Sequence, residues 1–125
     1  MKHLCLTDWV TLRANSSSVI TITQGEEAWL DVGDYEDAIF YLDVREVTAA
    51  NTVNLYYQTS PSKEDASFVN IYSIALTPTA TTQTTQRVLA KYSAVPIARY
   101  VRWQIAGLAG TGTFDATLRI HVAVT

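Results

Sequence analysis

The stretch FDATLRIHVAV, residues 114–124, decides the fold class of this chain. Every second residue is apolar, namely Phe114, Ala116, Leu118, Ile120, Val122 and Val124, and the residues between the first five are Asp115, Thr117, Arg119 and His121. A helix with 3.6 residues per turn would spread these apolar side chains around its whole circumference, whereas a strand places them on one face. The stretch therefore predicts a β-strand with one buried face.

The same alternation recurs along the chain. It is clear in DAIFYLDVRE (37–46) and TVNLYYQTS (52–60), and weaker strand patterns cover 4–13, 18–23, 27–32, 67–76 and 83–90. Turn-forming residues separate these segments, while the Thr-rich stretch 77–86 fits either a loop or an edge strand. Eight or nine short strands predict an all-β, single-domain antiparallel β-sandwich of jelly-roll type spanning residues 1–125, with a barrel as the alternative.

Composition supports a packed β domain and argues against several classes of protein. Hydrophobic residues make up 48% of the 125 residues and charged residues 17%, which is not the composition of a disordered chain. The net charge of −3 argues against direct binding of nucleic acid. No apolar run is long enough to span a membrane. The opening MKHLCLTDWV lacks the apolar core of a signal peptide.

The stretch RYVRWQI, residues 99–105, carries the best candidate surface. As a strand it would direct Val101, Trp103 and Ile105 inward. The outward residues would be Tyr100, Arg102 and Gln104, and Tyr56 of the 52–60 strand is a further exposed candidate. Because Tyr and Arg are enriched in protein interfaces, these four residues form a hypothetical contact patch. The alternative interpretation is an ordinary solvated sheet face.

An acidic stretch, EEAWLDVGDYED, spans residues 26–37 and holds six of the 12 carboxylates. A calcium site is one interpretation, although the spacing does not match an EF-hand loop. A solvated loop that keeps a sheet edge soluble, or a patch that meets a basic partner, is the other.

Neither a metal centre nor an active site is predicted. His3 and His121 could meet if the first and last strands are neighbours, but zinc needs three or four ligands and Cys5 is the only obvious third. The glycine-rich GLAGTG (107–112) precedes a strand instead of opening a helix, so it predicts a hairpin turn. No nucleophile elbow, phosphate loop or metalloprotease motif occurs, and we expect a non-enzymatic protein without cofactors.

Several short motifs together resemble a recurrent pattern in small all-β proteins of tailed-phage virion gene modules. They are Leu42-Asp43-Val44, Gln58-Thr59-Ser60-Pro61, Phe68, Arg99-Tyr100-Val101-Arg102 and Gly110-Thr111-Gly112-Thr113-Phe114. The resemblance covers about residues 36–124 and leaves the first 35 residues outside it.

The resemblance implies a structural or assembly protein of a phage or phage-like particle, such as a capsid decoration, minor head or head–tail component. Its expected partners are further copies of itself, a capsid protein or a neck protein, in a homo-oligomer or lattice. Residues 1–35 would then include an assembly arm or edge strand. Such a protein would reside in the host cytoplasm during assembly and then in the virion.

The second hypothesis is a carbohydrate-binding module. Galactose-binding-like domains also contain a strand similar to RYVRW near the C-terminus, and Tyr56 could belong to a sugar-stacking platform. A glycan-recognising part of a virion would combine the two hypotheses.

Overall fold

A computed structural model of the protein describes residues 2–15, 19–48, 53–76, 84–89, 95–108 and 113–125. These ranges contain nine strands, and two single-turn 3₁₀ helices cover Glu26–Ala28 and Asp65–Ser67. The strands are β1 (Lys2–Asn15), β2 (Val19–Thr23), β3 (Leu30–Asp31), β4 (Ala38–Thr48), β5 (Val53–Ser60), β6 (Val69–Leu76), β7 (Thr84–Leu89), β8 (Tyr100–Leu108) and β9 (Thr113–Val124).

The strands form two antiparallel sheets. Sheet A has the order β1-β9-β4-β7, and sheet B has the order β2-β8-β5-β6 with β3 also paired to β8. Because β2 and β3 lie along successive parts of β8, they act as one interrupted edge strand. The pairs β1–β9, β2–β8, β4–β7 and β5–β6 are thus nested within one another, which is the arrangement of a jelly roll. The predicted β-sandwich is confirmed.

The core lies between the sheets and follows the alternation in the sequence. The six alternating apolar residues of β9, from Phe114 to Val124, are completely buried. Phe40 of sheet A stacks on Tyr57 of sheet B, with ring centroids 4.3 Å apart and planes 18° from parallel. Both rings are fully buried, so this pair joins the centres of the two sheets.

The predicted strand 27–32 is largely wrong. Its first residues belong to the 3₁₀ turn Glu26–Ala28, and only Leu30 and Asp31 pair with β8. The physical reason lies in Gln24, whose side chain donates to the Leu6 carbonyl of sheet A at 2.7 Å. Its backbone N–H donates to the Trp103 carbonyl of sheet B at 3.1 Å. Both bonds fix Gln24 between the sheets, and the chain turns away from β8 immediately after it.

The other strand boundaries are close to those predicted. The 67–76 strand begins at Val69, because Asp65–Ser67 forms the second 3₁₀ turn. Within the Thr-rich stretch, Thr84–Leu89 is a strand at one end of sheet A, and residues 77–83 lie outside the described ranges. In GLAGTG, Gly107 and Leu108 complete β8, whereas the turn predicted over the following residues falls on 109–112, outside those ranges.

We predict that Tyr57→Phe will leave the protein at least as stable as the wild type. The Tyr57 hydroxyl is buried with no hydrogen-bond partner in the described ranges, and burial raises its pKa. Removing an unsatisfied buried hydroxyl should recover about 1 kcal/mol, measurable by urea unfolding. Phe40→Ala, which removes the stacked ring, should instead cost about 3–5 kcal/mol. A loss above about 1 kcal/mol in Tyr57→Phe would mean that the hydroxyl has a partner after all.

Candidate interaction surface

The predicted contact residues lie on the outer face of sheet B, which points away from sheet A. Tyr56 of β5 pairs directly with Gln104 of β8, and Ser60 pairs with Tyr100. Val101, Trp103 and Ile105 are buried on the inner face. Tyr56, Tyr100 and Gln104 are each half-buried, so part of every one of these side chains reaches solvent.

Arg102 lies on the same outer face but is not exposed. Its side chain is only 3% exposed, because Phe68 and Trp29 cover it, with ring centroids 3.9 and 4.9 Å from the guanidinium carbon. The two rings also contact each other edge to face at 4.7 Å. The expectation of an exposed Arg102 is wrong, since the connections before β3 and before β6 fold back over this end of the sheet.

The buried guanidinium is satisfied by two acceptors. Its Nε donates to Gln58 Oε1 at 2.8 Å, and its Nη1 donates to Asp65 Oδ1 at 2.7 Å. The Asp65 side chain is 79% exposed, so the counter-charge lies at the rim, where water still solvates it. We call Trp29, Gln58, Asp65, Phe68 and Arg102 the Arg102 cluster. It holds both 3₁₀ turns against sheet B.

A ladder of side-chain hydrogen bonds extends from this cluster across sheet B. Gln58 Nε2 donates to Asn70 of β6 at 2.8 Å and to Gln104 Oε1 of β8 at 3.2 Å. Gln104 Nε2 in turn donates to Thr23 Oγ1 of β2 at 2.9 Å. The ladder therefore connects all four strands of the main path, and it orients the amides of this face before any partner binds.

The edge formed by β6 is the most apolar part of the described surface. Val69 and Tyr72 are 50% and 51% exposed, and both belong to this strand. The register with β5 shifts between Tyr57 and Gln58, where Ile71 is the extra residue. An edge strand presents unpaired backbone groups that can accept another chain. Two apolar edge residues, Val69 and Tyr72, together with the outer-face residues Tyr56, Asn70, Ser73 and Gln104, are called the β6 surface.

The opposite face, on sheet A, carries a cluster that the sequence analysis did not identify. Trp9 of β1 contacts the guanidinium groups of both Arg45 and Arg119, whose carbons lie 4.4 and 4.9 Å from its ring centroid. Arg119 also donates to Asp43 at 2.6 Å across β9 and β4. The alternation in 114–124 places Arg119 on the outer face. It does not reveal that β1, which carries Trp9, is the neighbour of β9.

His3 and His121 do meet on this face of sheet A. His121 Nδ1 lies 2.8 Å from His3 Nε2, and the ring centroids are 4.7 Å apart. Cys5, the third candidate ligand, is exposed as a residue. Partial burial of its thiol, together with the nearby Asp8 charge, raises the pKa of that group.

The acidic stretch forms one wall of an open groove instead of a convergent cluster. Arg99 donates to Asp31 Oδ2 from Nε and Nη2, at 3.2 and 3.0 Å, and the Gly33 N–H donates to Oδ1 at 3.0 Å. These bonds lower the pKa of Asp31, and the ion pair raises the pKa of Arg99. Tyr35 and Ile97 complete a cavity of about 530 Å³. Within the described ranges, no three acidic, His or Cys side chains are placed to hold a metal ion.

Comparison with known proteins finds solved structures with a similar fold but no family. No family model and no curated protein matches the chain. The solved structure of PirA is similar over 90% of this chain and 92% of its own, with a TM-score of 0.52 and 9% identity. A chain in the structure of infectious bursal disease virus, Gx strain, is similar over 97% of this chain, with a TM-score of 0.50 and 13% identity.

This protein spans only 31% of the viral chain's length. A third similar structure is described as Bacillus endospore appendages that form a family of disulfide-linked pili, with 11% identity and a TM-score of 0.45. At these identities the first two likenesses establish a shared fold.

Over the described ranges, the structure contains no helix with the length and apolar character required to cross a bilayer.

We predict that Arg102→Ala will destabilise the protein by about 2–3 kcal/mol, through lost hydrogen bonds and lost contacts with Trp29 and Phe68. Asp65→Asn should cost less than about 1 kcal/mol, because Asp65 is largely solvated. Urea unfolding of both variants provides the measurement. Equal costs for the two variants would contradict the proposed burial of Arg102.

Proposed function

We propose that this protein is a non-enzymatic structural subunit that assembles with further copies of itself or with a particle protein. The observation that carries the proposal is the β6 surface, where an edge strand with exposed Val69 and Tyr72 adjoins a face ordered by side-chain hydrogen bonds. Preorganised side chains reduce the entropy lost on association. An exposed edge strand supplies main-chain donors and acceptors for a partner.

The charges of the surface suit a protein partner. The residues of the β6 surface are uncharged, and the nearest buried charge, on Arg102, is already satisfied by Gln58 and Asp65. Uncharged interface centres with aromatic residues are typical of protein–protein contacts. In the proposal, Tyr56, Tyr72 and Gln104 contact the partner, Tyr100 lies at the margin, and Arg102 supports the surface from beneath.

The proposed setting is a phage or phage-like particle, in a capsid decoration, minor head or head–tail position. Its support is the motif resemblance over residues 36–124, together with a fold shared with a chain of a virus structure. In this setting the protein would fold in the host cytoplasm and then join the virion.

We predict that light scattering after gel filtration will give a mass of several subunits for the wild type. Val69→Lys/Tyr72→Lys should reduce that mass to the 13.8 kDa of one chain, because two charges on the edge oppose pairing with another strand. Thr11→Lys, a charged change at an exposed strand position on sheet A, is the control and should leave the assembly intact. Assembly that survives the double change would contradict the placement at β6. A wild type that remains monomeric at every concentration, and also in the presence of particle proteins, would contradict the function.

A glycan-binding role is the second candidate. The groove lined by Asp31 and Arg99 is a better candidate site for a sugar than the platform around Tyr56. The groove is lined by the Asp31–Arg99 ion pair, by Asp34 and by the ring of Tyr35. Ligand sites commonly combine such polar groups with an apolar ring. Titration of the wild type with a glycan panel, followed by tyrosine and tryptophan fluorescence, should give saturable binding that Arg99→Ala removes. No binding across the panel would count against this role, while binding retained by Arg99→Ala would exclude the groove.

A further inference from the structure

We infer that His3 and His121 form a cross-strand site for a divalent transition metal ion of the kind that imidazole binds, such as Zn²⁺. This site lies on sheet A and is independent of the β6 surface. It joins the first strand of the fold to the last.

The register of β1 and β9 creates the pair. Cys5 is directly opposite His121, and His3 is directly opposite Ala123, so the two histidines are diagonal neighbours across adjacent strands. His3 is exposed and His121 is half-buried, so the pair lies at the protein surface. The strand positions of both residues hold the imidazoles together without a ligand.

The facing nitrogens have nearly the separation that a metal ion requires. They lie 2.8 Å apart, and the ring planes are inclined by 43°. Zn–N bonds of about 2.0–2.1 Å at a tetrahedral angle place two ligand nitrogens about 3.3 Å apart. The pair must therefore open by about half an ångström, a movement that the exposed His3 side chain can make.

The chemistry of the pair selects the class of ion. In the hydrogen bond between the rings, one nitrogen donates and the other accepts, so at least one imidazole is neutral. A bound cation would take the place of the hydrogen between the facing nitrogens. In a neutral donor ring that proton moves to the other nitrogen of the same ring, and in a charged ring it is released to solvent. Imidazole nitrogen suits Zn²⁺, Ni²⁺ and Cu²⁺, whereas Mg²⁺ and Ca²⁺ prefer oxygen ligands.

The two histidines are the protein ligands, and water fills the remaining positions. The described part of the chain contains no preformed group of three ligands. Because the unfolded chain does not hold residues 3 and 121 together, the metal ion stabilises the folded state and secures the start of β1 to β9.

The test is the thermal unfolding of the full chain, freed of metal with a chelator, as ZnCl₂ or MgCl₂ is added. Zinc at about one hundred times its dissociation constant should raise the Tm of the wild type by about 5–10 °C, while magnesium leaves it unchanged. His121→Thr should abolish the zinc shift, and so should His3→Thr, an exposed change whose folding is checked by its Tm in chelator. His121→Thr is the more stringent variant. A metal site that His3 formed with other residues of β1 would not use His121, so its zinc shift would remain in this variant.

The ligand set is tested with Cys5→Ser. This variant should retain the zinc shift, and Co²⁺ bound to the wild type should show no sulfur-to-metal charge-transfer band. Loss of the shift in Cys5→Ser would overturn the two-histidine assignment in favour of a thiolate site. The site itself would be overturned if zinc leaves the Tm of the wild type unchanged, or if His121→Thr keeps the full shift.

Discussion

The arrangement of sheet B depends on the burial of one permanent charge, the guanidinium of Arg102. Arginine does not lose its proton in a protein, so a buried Arg102 must be given acceptors and cover. Gln58 and Asp65 supply the acceptors, and Trp29 and Phe68 supply the cover. These contacts require the chain to fold back over the sheet both before β3 and before β6. Together with the two hydrogen bonds of Gln24, they account for the interrupted β2–β3 edge, and they account for the start of β6 at Val69.

This requirement divides the outer face of sheet B into two parts with different roles. The part around Arg102 is closed by the two 3₁₀ turns, so Arg102 acts within the fold. Beyond it, the ladder runs from Gln58 to Asn70 on β6 and, in the other direction, through Gln104 to Thr23 on β2, and its β6 end lies at an open edge of the sheet. The fold is shared with proteins at 9% and 13% identity, and such a fold hosts many functions. The functional proposal therefore depends on this open region and not on the architecture alone.

Much of the fold could be predicted from the sequence, because in a strand with one buried face every second residue must be apolar. The buried residues of β9, β4 and the first part of β5 follow that pattern directly. The candidate site could be predicted only in part. The pattern placed Arg102 on the outer face correctly, but its cover comes from Trp29 and Phe68, which are 73 and 34 residues away in the chain. A local pattern does not contain such contacts, and for the same reason it missed the Trp9 cluster and the 3₁₀ turn that replaces most of the predicted strand 27–32.

The central claim is that the β6 edge is the assembly surface, and hydrogen–deuterium exchange as a function of protein concentration tests it most directly. Among the amides of β6 (Val69–Leu76), Ile71 aside, those that do not donate to β5 should exchange faster in dilute protein than those that do. They should become at least about ten-fold protected as subunits associate, because edge amides gain strand partners. Exchange over β1 should not change with concentration. Protection that appears on β1 instead, or association that leaves these amides of β6 unprotected, would contradict the claim.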